Sequence, residues 1–180
     1  MRIFLDMDGV LADFKTKKVE VFGTDDIDDH QMWEVIWDKY PRWFLDLEMM
    51  PDMWDLLHFL MYDPSGKYKG HDLCVLTALP AKRYEKAITV VHQKRRWLNE
   101  QIGDIPMIAC IRRHKADYGN KDSILIDDDK GNVNAFRKAG GIVILHTSAK
   151  ETIKELEKLL PTKGQVPNDV PKDHWVRLKE

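Results

Sequence analysis

A chain of 180 residues, 43% of them hydrophobic, is long enough for one domain with a buried core and a small insertion. Its formal net charge of -2 argues against a broad basic surface for nucleic acid, so we expect no nucleic acid duplex as a partner. No apolar run reaches the roughly 18 to 20 residues that span a bilayer, and no signal segment is recognisable. We therefore expect a cytoplasmic protein with no membrane partner. Cys74 and Cys110 lie in apolar runs and indicate neither a disulfide framework nor a zinc site.

Two acidic residues follow the first predicted strand. Residues 2–5 form a short, mostly apolar run, and Asp6 and Asp8 stand at its carboxyl end with Gly9 behind them. Alternate residues at a strand end point to the same side, so both carboxylates can face one pocket, and Gly9 permits a sharp turn. Two acids this close repel each other unless a cation lies between them, and hard oxygen ligands are those that Mg²⁺ prefers. An Asp-x-Asp-Gly run is also a common turn, so this stretch alone leaves both interpretations open.

Residues 15–50 are charged and aromatic and predict a helical insertion. Trp33 and Trp37 are four residues apart and share a helix face, which is typical of a small core within the insertion. Aromatic rings that face the carboxylates would instead form a stacking platform for a planar ligand such as a nucleobase, worth roughly 1 to 3 kcal/mol per base. Phe14, on the hinge out of the first strand, is the ring best placed for that second role.

Polar side chains also follow two later apolar runs. Thr77 ends the run at 72–76, and a hydroxyl followed by turning backbone amides is suited to phosphate oxygens. Lys115 lies just past the run at 105–111, where an ammonium can neutralise the charge of a phosphoryl group. Because the carboxyl ends of parallel strands meet at one edge of a sheet, we expect both side chains near Asp6.

The apolar run at 123–126 ends in three consecutive acids, Asp127, Asp128 and Asp129. They repeat the chemistry of the first strand and predict further oxygen ligands for the same cation. One of the three, Asp129, is expected to be a helix cap. Lys121 precedes this run and should lie at the opposite edge of the sheet.

Basic residues cluster on the helix predicted at 81–101. Charges at helical spacing most often form a solvated face, and we expect that of Lys82, Arg83, Lys86, Lys94, Arg95 and Arg96.

The remaining pattern predicts further helices, one more strand and a tail. The helices are expected at 15–22, 29–40, 51–62, 131–138 and 149–160, and the strand at 142–145. The tail at 161–180 holds three prolines and many charges. Its Trp175 is a candidate anchor, either to the body of the protein or to a second copy in a homodimer.

In this order the motifs resemble the four-motif layout of the haloacid dehalogenase-like hydrolases over about residues 1–160. Within that superfamily they resemble the 5′(3′)-deoxyribonucleotidase family in five segments, namely 6–14, 43–51, 76–78, 112–115 and 124–128. The resemblance implies an α/β fold, with a Rossmann-like parallel sheet flanked by helices and a small helical cap inserted after the first strand. The corresponding divisions are a core at 1–14 and 51–160, a cap at 15–50 and a tail at 161–180.

The resemblance also implies an enzyme, a Mg²⁺-dependent phosphoric monoester hydrolase that releases phosphate from (deoxy)nucleoside 5′-monophosphates. Asp6 would be the nucleophile that forms an aspartyl-phosphate, and Asp8 the general acid and base. Mg²⁺ would be bound by Asp6, the backbone carbonyl of Asp8 and Asp128, with Asp127 in support. The remaining phosphoryl oxygens would be held by Thr77, the Ala78 amide and Lys115. A nucleobase would lie between rings of the hinge and cap, for which Phe14 matches directly and Trp33, Trp43 and Phe44 match by approximate position.

Two alternatives stay open at this point. The same chemistry is compatible with another phosphomonoester, for instance a sugar phosphate or the phosphate end of a polynucleotide. A catalytically silent module that binds a nucleotide is the other alternative, although such a protein has no need of both Asp6 and Asp8.

Overall fold

A five-stranded parallel sheet forms the centre of the computed structural model, which describes residues 1–62, 69–80 and 84–160. The strand order is β3-β2-β1-β4-β5, so the first strand is central, and the connection from β3 to β4 crosses over β2 and β1. This confirms the predicted Rossmann-like α/β fold. The strands are β1 (Arg2–Leu5), β2 (Asp72–Leu79), β3 (Met107–Ile111), β4 (Ser123–Asp127) and β5 (Ile142–Leu145).

The central position of β1 follows from its apolar residues. Ile3, Phe4 and Leu5 are at most 2% exposed, as expected of a strand covered on both faces. The strand pairs with β2 on one side and β4 on the other, and the amide of Asp6 donates to the carbonyl of Ile126 at 2.9 Å. Residues that follow β1 and β4 therefore lie next to each other at the carboxyl edge of the sheet.

Within the described residues, six α-helices and one 3-10 helix flank the sheet. Four of the α-helices begin at a polar residue whose side chain accepts a hydrogen bond from the first turn, which satisfies amides that the helix cannot pair. Asp129 is one of these caps, as predicted. The helices are α1 (Phe14–Phe22), α2 (Asp29–Lys39), α3 (Met53–Met61), α4 (Tyr84–Gln101), the 3-10 helix (Arg112–Tyr118), α5 (Lys130–Lys138) and α6 (Ala149–Leu159).

The predicted boundaries differ from these mainly at two strands. The second strand continues to Leu79, so Thr77 lies within it rather than past its end. The third begins at Met107, because Pro106 has no N–H to give to the ladder. The start of the helix predicted at 81–101, with Lys82 and Arg83, and the tail with Trp175 lie outside the described residues.

Backbone hydrogen bonds join the two ends of the insertion that follows β1. The amide of Asp13 donates to the carbonyl of Glu48 at 2.8 Å, and the amide of Met50 donates to the carbonyl of Leu11 at 2.9 Å. Its buried residues belong to the same hydrophobic cluster as the strands and α3. The division into core and cap stays a prediction, since no boundary in the buried cluster separates them. No helix within the described ranges is long and apolar enough to cross a bilayer.

Candidate active site

Asp6 is the first residue after β1, and its carboxylate is held from two sides. Its Oδ1 accepts a hydrogen bond from the amide of Met7 at 2.7 Å, and its Oδ2 lies 2.8 Å from Nζ of Lys115. The same Nζ lies 2.8 Å from Oδ2 of Asp127. Lys115 is 1% exposed and comes from the 3-10 helix that follows β3. The lysine thus bridges acids from two neighbouring strand ends.

The charges in this group are not balanced. Burial alone would lower the pKa of the Lys115 ammonium, but the Asp6 and Asp127 carboxylates raise it above its ordinary value. Burial and the nearby Asp6 raise the pKa of Asp127 to about 6, although the lysine opposes this. Partial burial, together with Asp6 and Asp127, raises the pKa of Asp128 to about 7. One ammonium does not satisfy three carboxylates, so a further positive charge would stabilise them.

The same three acids form a candidate metal centre. Asp6, Asp127 and Asp128 each place a carboxylate oxygen within 4.8 Å of the others. Asp128 lies against Gly9, whose φ is +84°, and a Cβ on Gly9 would clash with the Asp128 carboxylate. The oxygen donors, their excess negative charge and the space kept by Gly9 fit a hard divalent cation such as Mg²⁺.

The Asp127 carboxylate accepts more hydrogen bonds from protein groups than a direct metal ligand usually does. Asn132 Nδ2 donates to both of its oxygens at 3.0 Å, and the amide of Asp129 donates to Oδ1 at 2.9 Å. Arg112 extends this network, since its Nε donates to Oδ1 of Asn132 at 3.0 Å and its guanidinium pairs with Asp129. These contacts suit the supporting position predicted for Asp127. Asn132 was missed at the sequence level, because an asparagine in the first turn of a helix carries no specific signal.

Lys94 corrects the prediction that the basic residues of α4 form a solvated face. Its side chain is fully buried, and Nζ lies 2.5 Å from Oδ2 of Asp8 and 2.7 Å from Oγ1 of Thr77. It also donates to the carbonyl oxygen of Ala78 at 3.2 Å. Asp8, Thr77 and Ala78 are therefore brought together by a residue that the charge pattern had assigned to solvent.

Helical spacing explains why Lys94 is buried. The buried positions of α4 recur every three or four residues, which places Lys94 inside the apolar stripe that faces the sheet. Burial of an ammonium there is offset by its pairing with Asp8. The apolar spacing was the signal that could have identified it, and the buried residues on this stripe are Val90, Gln93, Lys94, Trp97 and Leu98. Arg96 does follow the prediction, since it is exposed and pairs with Glu100.

The predicted base-binding rings pack against one another. Phe14 lies with its centroid 6.2 Å from Trp33, 5.5 Å from Trp43 and 6.2 Å from Phe44. A flat ligand that stacks between two rings needs the rings to be about 7 to 8 Å apart, because it makes a van der Waals contact of about 3.5 to 4.0 Å on each face. Trp43 and Phe44 are 1% exposed, whereas Phe14 and Trp33 are half-buried. Base binding by these residues stays a prediction, and in this arrangement only Phe14 and Trp33 have exposed ring surface for it.

Lys121, predicted for the opposite edge, precedes β4 and is 88% exposed. Its Nζ pairs with Asp122 at 3.0 Å and takes no part in the acidic group around Asp6.

No family model matches the chain, and no curated protein matches it. Among solved structures, it is similar to a hydrolase from Streptococcus pneumoniae TIGR4, with 15% identity, a TM-score of 0.45 and coverage of 89% of this chain and 98% of that one. It is also similar to a predicted HAD-like family hydrolase from Porphyromonas gingivalis, with 12% identity, a TM-score of 0.46 and coverage of 90% and 98%. Similarity this low carries no conclusion about function, which rests on the residues of the site.

Proposed function

We propose that this protein is a Mg²⁺-dependent phosphatase that hydrolyses (deoxy)nucleoside 5′-monophosphates through an aspartyl-phosphate. The proposal is supported by one observation above all: a buried lysine orients the Asp6 carboxylate beside two further acids, with Asp8 two residues away. This is the constellation that the sequence resemblance to haloacid dehalogenase-like hydrolases and to deoxyribonucleotidases implies. Covalent catalysis of this kind divides one difficult displacement into two easier ones.

In the first step an oxygen of Asp6 attacks phosphorus, and the ester P–O bond breaks. The departing sugar oxygen takes a proton from Asp8. In the second step Asp8 takes a proton from water, whose oxygen attacks phosphorus and frees the Asp6 carboxylate together with inorganic phosphate. Asp6 is prepared for attack because the Met7 amide and Lys115 fix its orientation.

The charge of the phosphoryl group also needs compensation. Among the described residues, Nζ of Lys115 has two acceptors, Asp6 and Asp127, which leaves one of its three N–H groups for a phosphoryl oxygen. Thr77 Oγ1 accepts from Lys94, and in the described part of the chain its hydroxyl hydrogen has no acceptor, so it can donate to a phosphoryl oxygen in the same way. Mg²⁺, when bound by Asp6, Asp128 and the carbonyl of Asp8, supplies the charge that allows an anionic nucleophile to approach an anionic ester.

A second candidate substrate class is favoured by the packing of the aromatic rings. The contacts of Phe14 with Trp33 and Phe44 leave too little space for a base between them. A smaller phosphomonoester such as a sugar phosphate needs no such space and uses the same carboxylates and lysine. A silent binding module is disfavoured, since it has no need of both Asp6 and Asp8.

The proposal is tested by measuring phosphate release from a panel of substrates with Mg²⁺ and with EDTA. The panel contains deoxyribonucleoside and ribonucleoside 5′-monophosphates, 3′-monophosphates and sugar phosphates. We expect Mg²⁺-dependent turnover that is fastest for the deoxynucleoside 5′-monophosphates. Turnover of sugar phosphates alone would establish the second candidate, and no turnover of any substrate would contradict the phosphatase assignment.

Asp6→Asn is the diagnostic variant, and Asp122→Asn is its control. Asp122 is an exposed acid that precedes β4 at the opposite edge of the sheet. Asp6→Asn is expected to abolish turnover because an amide does not form the phosphoryl intermediate, and Asp122→Asn to leave it unchanged. Circular dichroism and thermal melting check that both variants are folded.

A further inference from the structure

Asp6 and Asp8, the two carboxylates that take part in the proposed reaction, each pair with a buried lysine. The two lysines differ in how many of their N–H groups already have an acceptor. Lys94 Nζ has three acceptors, Asp8 Oδ2, Thr77 Oγ1 and the Ala78 carbonyl, which match the three N–H groups of an ammonium. Lys115 has two acceptors among the described residues, as noted above. Lys94 therefore has no N–H group left for a phosphoryl oxygen, whereas Lys115 has one.

The contact with Lys94 fixes the orientation of Asp8. Oδ2 of Asp8 is tied to the ammonium at 2.5 Å, while Oδ1 is buried and has no hydrogen-bond partner in the described part of the chain. A buried carboxylate oxygen without a partner is costly unless a ligand completes it. The Lys94 ammonium offsets part of that cost and fixes the Asp8 carboxylate in one orientation.

The position of Lys94 is itself set by contacts between α4 and the segment 41–47. Gln93 donates to the carbonyl of Pro41 at 2.7 Å and accepts from the amide of Phe44 at 3.1 Å. Trp97 donates to the carbonyl of Leu47 at 2.8 Å. The centroid of the Phe44 ring lies 4.7 Å from Nζ of Lys94, close enough for a cation-π contact. These contacts hold the lysine on a fixed part of the helix rather than on a mobile loop.

We propose that Lys94 is the positioning residue for Asp8, and that it acts in leaving-group protonation without touching the phosphoryl group. The inference rests on the proposed function, because it assumes that Asp8 protonates the departing oxygen. Lys94 holds the Asp8 side chain in one orientation, so that its carboxyl group is already in place when the P–O bond breaks. Misplacing such a group by about 1 Å costs on the order of 100-fold in rate.

Leaving groups of different basicity test this. A deoxynucleoside 5′-monophosphate releases an alkoxide that needs a proton, whereas p-nitrophenyl phosphate releases a phenolate that needs none. The quantity to compare is kcat/KM, because it reports steps up to the first irreversible one, the departure of the leaving group, and is independent of the later hydrolysis of the aspartyl-phosphate. We expect Lys94→Met to lower kcat/KM for the nucleotide about 100-fold and that for the aryl ester less than about 10-fold. Arg96→Met, an exposed cation two positions along the same helix, should change neither value.

The outcomes distinguish the positioning role of Lys94 from the proposed phosphatase function on which it rests. Equal losses on both substrates would overturn the positioning role and indicate phosphate binding or a general structural role. Absence of turnover by the unsubstituted protein would instead contradict the proposed function. If melting shows that Lys94→Met is unfolded, the double variant Asp8→Asn/Lys94→Gln replaces it. Lys94→Gln should then add no further loss on the nucleotide to that of Asp8→Asn, and additive losses would overturn the inference.

Discussion

Gly9 matters to the acidic site because it has no side chain. Its φ of +84° lies in the left-handed region, and the position of a Cβ is taken by the carboxylate of Asp128. Gly23, at the end of α1, has a similar φ of +75° but no atom within 4 Å of its would-be Cβ. The two glycines therefore share a positive φ and differ in the space around their Cα atoms.

This difference gives a prediction with a built-in control. Gly9→Ala and Gly23→Ala should both lower the free energy of unfolding by about 1 to 2 kcal/mol, because an L-residue is strained at positive φ. Only Gly9→Ala also displaces Asp128, so only that variant should lose about 100-fold in Mg²⁺-dependent turnover. Chemical denaturation and phosphate release measure the two effects. Similar activity in both variants would show that Asp128 is not needed where the structure places it.

At the scale of elements, α4 is the helix that connects the insertion to the site. One of its faces carries Gln93, Lys94 and Trp97, which bind the segment 41–47 and the Asp8 carboxylate at the same time. Any shift of this helix would therefore move both. The segment 41–47 is fixed through main-chain hydrogen bonds, which are strongly directional.

Removing the Gln93 contacts should loosen that segment. Gln93→Ala leaves the buried amide of Phe44 without its acceptor, at a cost of about 1 to 3 kcal/mol in the free energy of unfolding. Hydrogen exchange should become faster at 41–47 and remain unchanged in α5, which packs on the 3-10 helix, β4 and β5. Gln101→Ala, at the end of the same helix, is the control and should alter neither quantity. Unchanged exchange at 41–47 in Gln93→Ala would contradict the anchoring role of α4.

The elements also show which parts of the site could be predicted. Asp6 follows β1 and Asp127 ends β4, and the apolar residues of the two strands fix where these acids lie, so their meeting could be predicted from the pattern. Lys94 could not be placed in this way, because its charge favours solvent while its spacing favours the core, and its partner Asp8 lies 86 residues away. Aromatic residue types likewise do not say whether Phe14 and Trp33 face a ligand or each other. Both questions are decided by which residues far apart in the chain pack together, and the local sequence pattern does not show this.

For the molecule as a whole, His146 links stability to pH. It follows β5, is 5% exposed, and its Nδ1 lies 2.9 Å from Oγ1 of Thr152. Burial lowers the pKa of His146, although Asp52 nearby opposes this. A histidine whose pKa is lower in the folded than in the unfolded state contributes stability above about pH 6.5, and this contribution is lost as the pH falls.

We therefore expect the free energy of unfolding to fall more steeply between pH 7 and pH 5 in the natural protein than in His146→Gln. The difference in slope is at most about 1.4 kcal/mol per pH unit, since one proton is involved. Denaturant titrations at a series of pH values measure it. His92→Gln, which removes an exposed histidine of α4, should keep the steep slope. A steep slope that survives in His146→Gln would assign the pH dependence to other groups.

Trapping the intermediate would show whether Asp6 carries the phosphoryl group during turnover. The protein is mixed with a deoxynucleoside 5′-monophosphate and Mg²⁺, quenched in acid during turnover, and digested for mass spectrometry. We expect a phosphoryl group on the peptide that contains Asp6, and none in Asp6→Asn or when EDTA replaces Mg²⁺. Sustained phosphate release by Asp6→Asn, or turnover of the natural protein with Asp6 never phosphorylated, would contradict this expectation.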